Sequence, residues 1–109
     1  MATRILLLAA VSLSVLAGCA TWEGARLYQR GTDALERGEP ELAISDLERA
    51  AGLVPEASEI QNHLGLAYQA AGREAEARDA FARAVELDCD NEAAQENLAV
   101  AEHSQQRGR

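Results

Sequence analysis

The side chains best suited to covalent or metal chemistry in this 109-residue sequence are two cysteines, Cys19 and Cys89, and two histidines, His63 and His103. The histidines stand apart, with no second His or Cys at ligand spacing, so the sequence predicts no metal site. Cys89 lies between Asp88 and Asp90, whose charge disfavours its thiolate, and a reactive thiol is not expected there. No nucleophile and base fall in a recognisable arrangement, and the chain is predicted not to be an enzyme and to use no cofactor. Cys19 is different because of what precedes it. Arg4 is followed by thirteen residues, Ile5 to Ala17, of which only Ser12 and Ser14 are polar.

A basic start and an apolar run of that length suit a cleaved export signal, and fall short of the roughly 20 apolar residues of a bilayer-spanning helix. The run ends in Leu16, Ala17, Gly18 and Cys19, and this LAGC resembles the lipobox of bacterial lipoproteins. The resemblance implies alkylation of the Cys19 thiol by a diacylglyceryl group, cleavage before Cys19, and acylation of the new amino group. Two or three acyl chains anchor a protein stably where one does not, since each buried methylene contributes about 0.8 kcal/mol. Ala20 in place of an aspartate implies, by the same resemblance, an outer-membrane destination.

Beyond residue 18 the chain carries nine Arg, no Lys and eighteen Asp and Glu, a formal charge of about −9. That charge repels phosphate backbones, and no stretch combines clustered Arg with aromatics, so nucleic acid is excluded as a partner. Without a polybasic patch, membrane attachment rests on the lipid. With Cys19 alkylated, Cys89 has no partner for an internal disulfide. Trp22, three residues past the lipid site, suits either a membrane interface or packing over the end of the first helix.

What positions these residues is a repeat. Shifted by thirty-four residues, the sequence matches itself at Gly31 and Gly65, Gly38 and Gly72, Ala43 and Ala77, Arg49 and Arg83, Ala50 and Ala84, and Leu53 and Leu87. Each unit reads as two helices. The first pair runs Glu23 to Arg37, with Leu27, Gly31, Ala34 and Leu35 on one stripe, and from Pro40 to Gly52, with Leu42, Ala43, Leu47, Ala50 and Ala51. The second runs from Ser58, a candidate cap, to Ala71, and from Glu74 to Leu87 with Ala77, Ala80, Phe81, Ala84 and Val85. Asn91 caps a fifth helix, Glu92 to about Gln105, on which Ala94, Leu98 and Ala101 are in register.

The residues resemble the tetratricopeptide repeat, with its pattern W-x₂-L-G-x₂-Y, then A-x₃-F, then P. Leu64, Gly65, Tyr68, Ala77 and Phe81 match, while Gln61 and Cys89 stand where the pattern has Trp and Pro. In the first unit Gly31, Ala43 and Pro55 match, Leu27 and Leu47 replace aromatic residues, and Arg30 and Ala34 depart. Small residues at 31, 65, 43 and 77 let paired helices approach, and Ala50 and Ala84 admit the next hairpin. These positions are structural. The resemblance implies a concave face formed by the first helix of each pair, here Tyr28, Thr32 and Leu35, then Asn62, Leu66 and Gln69, then Glu96 and Val100. The apolar members would receive side chains of a bound protein or peptide, and Asn62 and Gln69 would hydrogen-bond its backbone.

The expected fold is therefore all-α. It comprises a cleaved segment at residues 1–18, a lipid-anchored linker at 19–23, repeats at 24–57 and 58–91, and a capping helix with a frayed tail at 92–109. The expected role is a membrane-anchored interaction adaptor or scaffold of the bacterial envelope, at the periplasmic side of the outer membrane. Lipoproteins it resembles serve pilus, secretion and polysaccharide-export assembly. The alternatives are a self-associating structural module and a regulator of a cell-wall enzyme. Two and a half units fall below the three or so that make a robust array, so stabilisation by homo-oligomerisation or by a larger partner is also expected.

Overall fold

The computed structural model describes residues 2–109, with side chains from residue 18 onward; Met1 and the side chains of most of the expected leader lie outside it. Among the described residues five helices follow one another: α1 (Ala2–Glu36), α2 (Pro40–Leu53), α3 (Ser58–Ala70), α4 (Glu74–Leu87) and α5 (Glu92–Arg107). α1 packs on α2 and α3 on α4 as antiparallel hairpins. α2 meets α3 and α4 meets α5, and the odd-numbered helices also touch along one side.

The hairpin turns are built alike. Gly38 and Gly72 have φ of +74° and +75°, the left-handed conformation that favours glycine. In both turns the next residue's N–H bonds five residues back, Glu39 to the Ala34 carbonyl and Arg73 to that of Tyr68, each at 2.9 Å. This closes the helix in a Schellman motif. Pro40 then opens α2 in its first turn, where a missing N–H leaves no bond unmade.

Close approach within each hairpin rests on the two matched glycines. A Cβ on Gly31 would lie 2.6 Å from Leu47 Cγ, and one on Gly65 would lie 2.5 Å from Phe81 Cδ1. Phe81, Leu27 and Leu47 are fully buried, with Ala34, Ala43, Ala50, Ala77 and Ala84 around them. Ala50 joins Leu27 and Ile60, so the first hairpin receives the second at that small residue.

Several expectations are corrected. α1 starts at Ala2 rather than Glu23, and residues 19–23 form helix rather than a linker; the first eighteen residues have no proline, and Gly18 alone costs too little to stop a Leu- and Ala-rich helix. α2 continues through Gly52 to Leu53. Leu42 is 41% exposed and Ile44 is buried in its stead, because the buried stripe runs 43, 44, 47, 50. Ser58 is not a side-chain cap: its hydroxyl donates to the Ala84 carbonyl at 2.8 Å and accepts from Asn91 Nδ2 at 2.8 Å. Asn91 does cap α5, accepting from the Ala94 N–H at 3.1 Å.

Both ends of the array are polar. Ile60 and Ala67 on α3, and Ala94 and Ala101 on α5, are buried; thirty-four residues before the α3 pair, α1 carries Arg26 and Asp33. At the other end α5 presents Gln95, Ala99 and Glu102 where α3 has Gln61, Gly65 and Tyr68. Ends without apolar stripes do not favour stacking of further hairpins.

Tyr68 ties the two hairpins together. Its hydroxyl donates to Glu48 Oε1 at 2.5 Å, and the Arg73 guanidinium lies 4.9 Å from its ring centroid. Arg73 also makes a two-pronged bond to Glu76, at 2.8 and 2.7 Å, which holds that carboxyl below its usual range.

Candidate functional site

The face shared by α1, α3 and α5 is a ladder of side chains thirty-five residues apart. Tyr28 on α1 stands edge-on to His63 on α3, with ring centroids 5.2 Å apart and planes at 89°. One step along, Asn97 Nδ2 on α5 donates to Asn62 Oδ1 on α3 at 2.9 Å. The Tyr28 hydroxyl donates to Glu59 Oε1 at 3.0 Å. His63 Nδ1 is 3.2 Å from the Tyr28 oxygen and 3.0 Å from the Glu59 carbonyl, so a proton on Nδ1 finds an acceptor in either direction. These contacts set the spacing of the first helices and hence the curvature of the face.

Of the residues expected to line it, Tyr28, Thr32, Leu35, Leu66 and Gln69 are half-buried, and Glu96 and Val100 are exposed. Tyr28, Leu35 and Leu66 rest on the core and keep part of their apolar surface outward. Asn62 is corrected: it is 5% exposed, and its carbonyl oxygen is taken by Asn97, so it braces α3 against α5 and is closed to a partner's backbone. Thr32 bonds to the Gln29 carbonyl of its own helix at 2.9 Å. His63, Glu59 and Asn97 were missed as members of this face. The signal was a spacing of 35, one more than the repeat, because the first helices meet with a one-residue stagger.

Burial, and then donation to a carboxylate, push both tyrosine hydroxyls up from an ordinary 10.0 to about 12: Tyr28 beside Glu59 and Tyr68 beside Glu48. A folded pKa above the unfolded one means the folded state holds the proton more tightly. That stabilisation is complete below about pH 10 and is lost as pH rises toward 12. The melting temperature is expected to fall steeply across that interval, and Tyr68→Phe is expected to flatten the fall. A profile unchanged in Tyr68→Phe would contradict this.

Trp22 is 73% exposed, so it does not pack over the end of α1. Cys19 and Cys89 are both exposed thiols. Among the described residues no group of three His, Cys, Asp or Glu side chains gathers as a metal site, and no helix is long and apolar enough to cross a membrane. The surface concavities are shallow and open. One lies beside Arg78, Glu102 and Gln105, where Arg78 Nη1 donates to Gln105 at 2.9 Å.

No curated protein matches the chain in sequence. The tetratricopeptide repeat model matches residues 28–94, from the first rung of the ladder to the first turn of α5. With glycine turns, close-approach glycines and stacked hairpins in the places that pattern demands, the chain belongs to the tetratricopeptide repeat family.

Proposed function

We propose that the mature protein starts at a lipidated Cys19 and serves at the envelope membrane as an adaptor, holding another protein against the face made by α1, α3 and α5. Tetratricopeptide repeats mediate protein–protein interactions, which supports an adaptor or scaffold role over a catalytic one. The observation that carries the reading is the row of outward apolar surface at Tyr28, Leu35, Leu66 and Val100 along three parallel helices, as helix-in-groove recognition requires. Glu59 and Glu96 border that row and no lysine lies near it, so the segment it fits is apolar with basic flanks. LAGC and the outward-facing thiol of Cys19 support the anchor, and Ala20 supports an outer-membrane destination. Roles in pilus, secretion or polysaccharide-export assembly are instances of this activity, and regulation of a cell-wall enzyme is an alternative to it.

The test is photo-crosslinking in the native host, with the reactive group at Leu66 or Val100 and, as controls, at Leu42 or Arg83 on the second helices. Adducts with one different protein from Leu66 and Val100, and none from the controls, are the expected result. Adducts containing only a second copy of the chain would make it a self-associating module instead.

A further inference from the structure

The edge of the array nearest Cys19, where the turn between α2 and α3 meets α1, exposes apolar groups that the two polar stacking ends do not. Gly24 on α1 abuts the end of α2, a Cβ there falling 3.5 Å from Leu53 Cβ and closer still to Val54. Around this junction Trp22 is 73% and Leu53 38% exposed, Pro55 is exposed in the following turn, and Ala25, Val54 and Ala57 border a shallow cavity of about 230 Å³. Among the described residues Val54 and Ala57 pack partly on Leu27, Ala50 and Ile60, while Trp22, Leu53 and Pro55 stay exposed; the outer sides of the array are polar.

Their distance from Cys19 decides what can cover them. α1 runs unbroken through Cys19, Trp22 and Gly24. At about 1.5 Å per residue, Trp22 stands roughly 4.5 Å and the Gly24–Val54 contact roughly 7.5 Å along the axis from Cys19. A headgroup layer is about 5–8 Å deep, being half the difference between a ~40–45 Å bilayer and its ~30 Å hydrocarbon core. A helix has no slack to lift the domain away. We infer that Trp22, Leu53, Val54 and Pro55 form a membrane-docking end that enters the headgroup layer of the bilayer holding the Cys19 lipid; this rests on the lipid-anchor reading above. The turn between α4 and α5 lies at the same end, tied there by the bond from Asn91 to Ser58, and carries Asp88 and Asp90. Arg26 and Arg49 at this end are both paired with Glu23, and with Asp88 and Asp90 unpaired by lysine there is no net basic patch, so the lipid it suits is zwitterionic. The domain consequently stands on its inter-hairpin turns, with Gly38 and Gly72 farthest from the membrane and the face of α1, α3 and α5 open sideways.

The full chain, processed in its host, purified and reconstituted in zwitterionic phosphatidylcholine vesicles with brominated acyl chains, supplies the test, since Trp22 is its single tryptophan. Two further proteins move the probe: Trp22→Phe with Leu53→Trp, and Trp22→Phe with Val100→Trp. Mass spectrometry of the Cys19 peptide is recorded on each sample. With Cys19 acylated, emission is expected to be quenched several-fold more strongly from Leu53→Trp than from Val100→Trp, and equally so at high and low salt. Equal, water-like emission from both with Cys19 acylated overturns the docking and leaves the anchor standing. A free Cys19 thiol overturns the anchor reading itself.

Discussion

Arg30→Leu is expected to destabilise the domain by about 2–4 kcal/mol, and adding Asp46→Ala to restore most or all of that loss. Asp46 on α2 is only 3% exposed, and Arg30 Nη2 on α1 reaches its Oδ2 at 3.3 Å. That oxygen makes no hydrogen bond, so charge attraction is what compensates its burial. Removing the guanidinium leaves a buried carboxylate with Arg49 at 4.0 Å as its nearest cation. The loss falls toward the lower part of the range because half of the Arg30 side chain is in water. Thirty-four residues on, the same two positions hold Leu64 and Ala80, both buried. The double variant therefore copies into the first hairpin an apolar contact that the second already uses. Urea unfolding of both single variants and the double variant closes the cycle. A double variant whose loss equals the sum of the two single losses would show that the two positions are not coupled.

Phe81→Ala is expected to cost about 3–5 kcal/mol, a large fraction of the stability of a domain of this size. The ring is fully buried against Gly65, and its removal opens a cavity between α3 and α4. The reverse insult, Gly65→Ala, drives a methyl into that rigid ring and is expected to cost about 1–3 kcal/mol, despite the gain of up to about 1 kcal/mol from replacing a helical glycine. Gly31→Ala meets Leu47 instead, whose branched chain can change rotamer, so its cost should be smaller. Thermal melts that rank Gly31→Ala as the more damaging substitution would contradict this account of the close approach.

The contrast between the two hairpins shows what sequence can carry. Gly31, Gly65, Gly38 and Gly72 were legible because each position has a physical requirement met best by glycine, and they recur at a fixed period. Arg30 was legible only as a departure. Its compensation by Asp46 lies sixteen residues away on another helix, and no local pattern links them. Tyr28 and Leu66 are on the α1, α3 and α5 face as the repeat implied, but Asn62 is closed off by a contact to Asn97 that depends on how the hairpins are staggered. Stagger is a property of packing between units, and a period read along the chain does not contain it. The unbroken helix through residues 19–23 was not legible for a different reason: the boundary expected there is one of chemical processing, and backbone propensity ignores such a boundary.

The same continuity makes the proposed anchor the point on which the account turns, since a helix running on from a lipid at Cys19 would fix where the α1, α3 and α5 face is presented. Intact-mass and peptide spectrometry of the protein isolated from its native membrane tests it most directly. The account predicts a chain starting at Cys19, with a diacylglyceryl thioether on the sulfur and acylation of the new amino group. A chain that retains residues 1–18, or one whose Cys19 thiol is free, would contradict it.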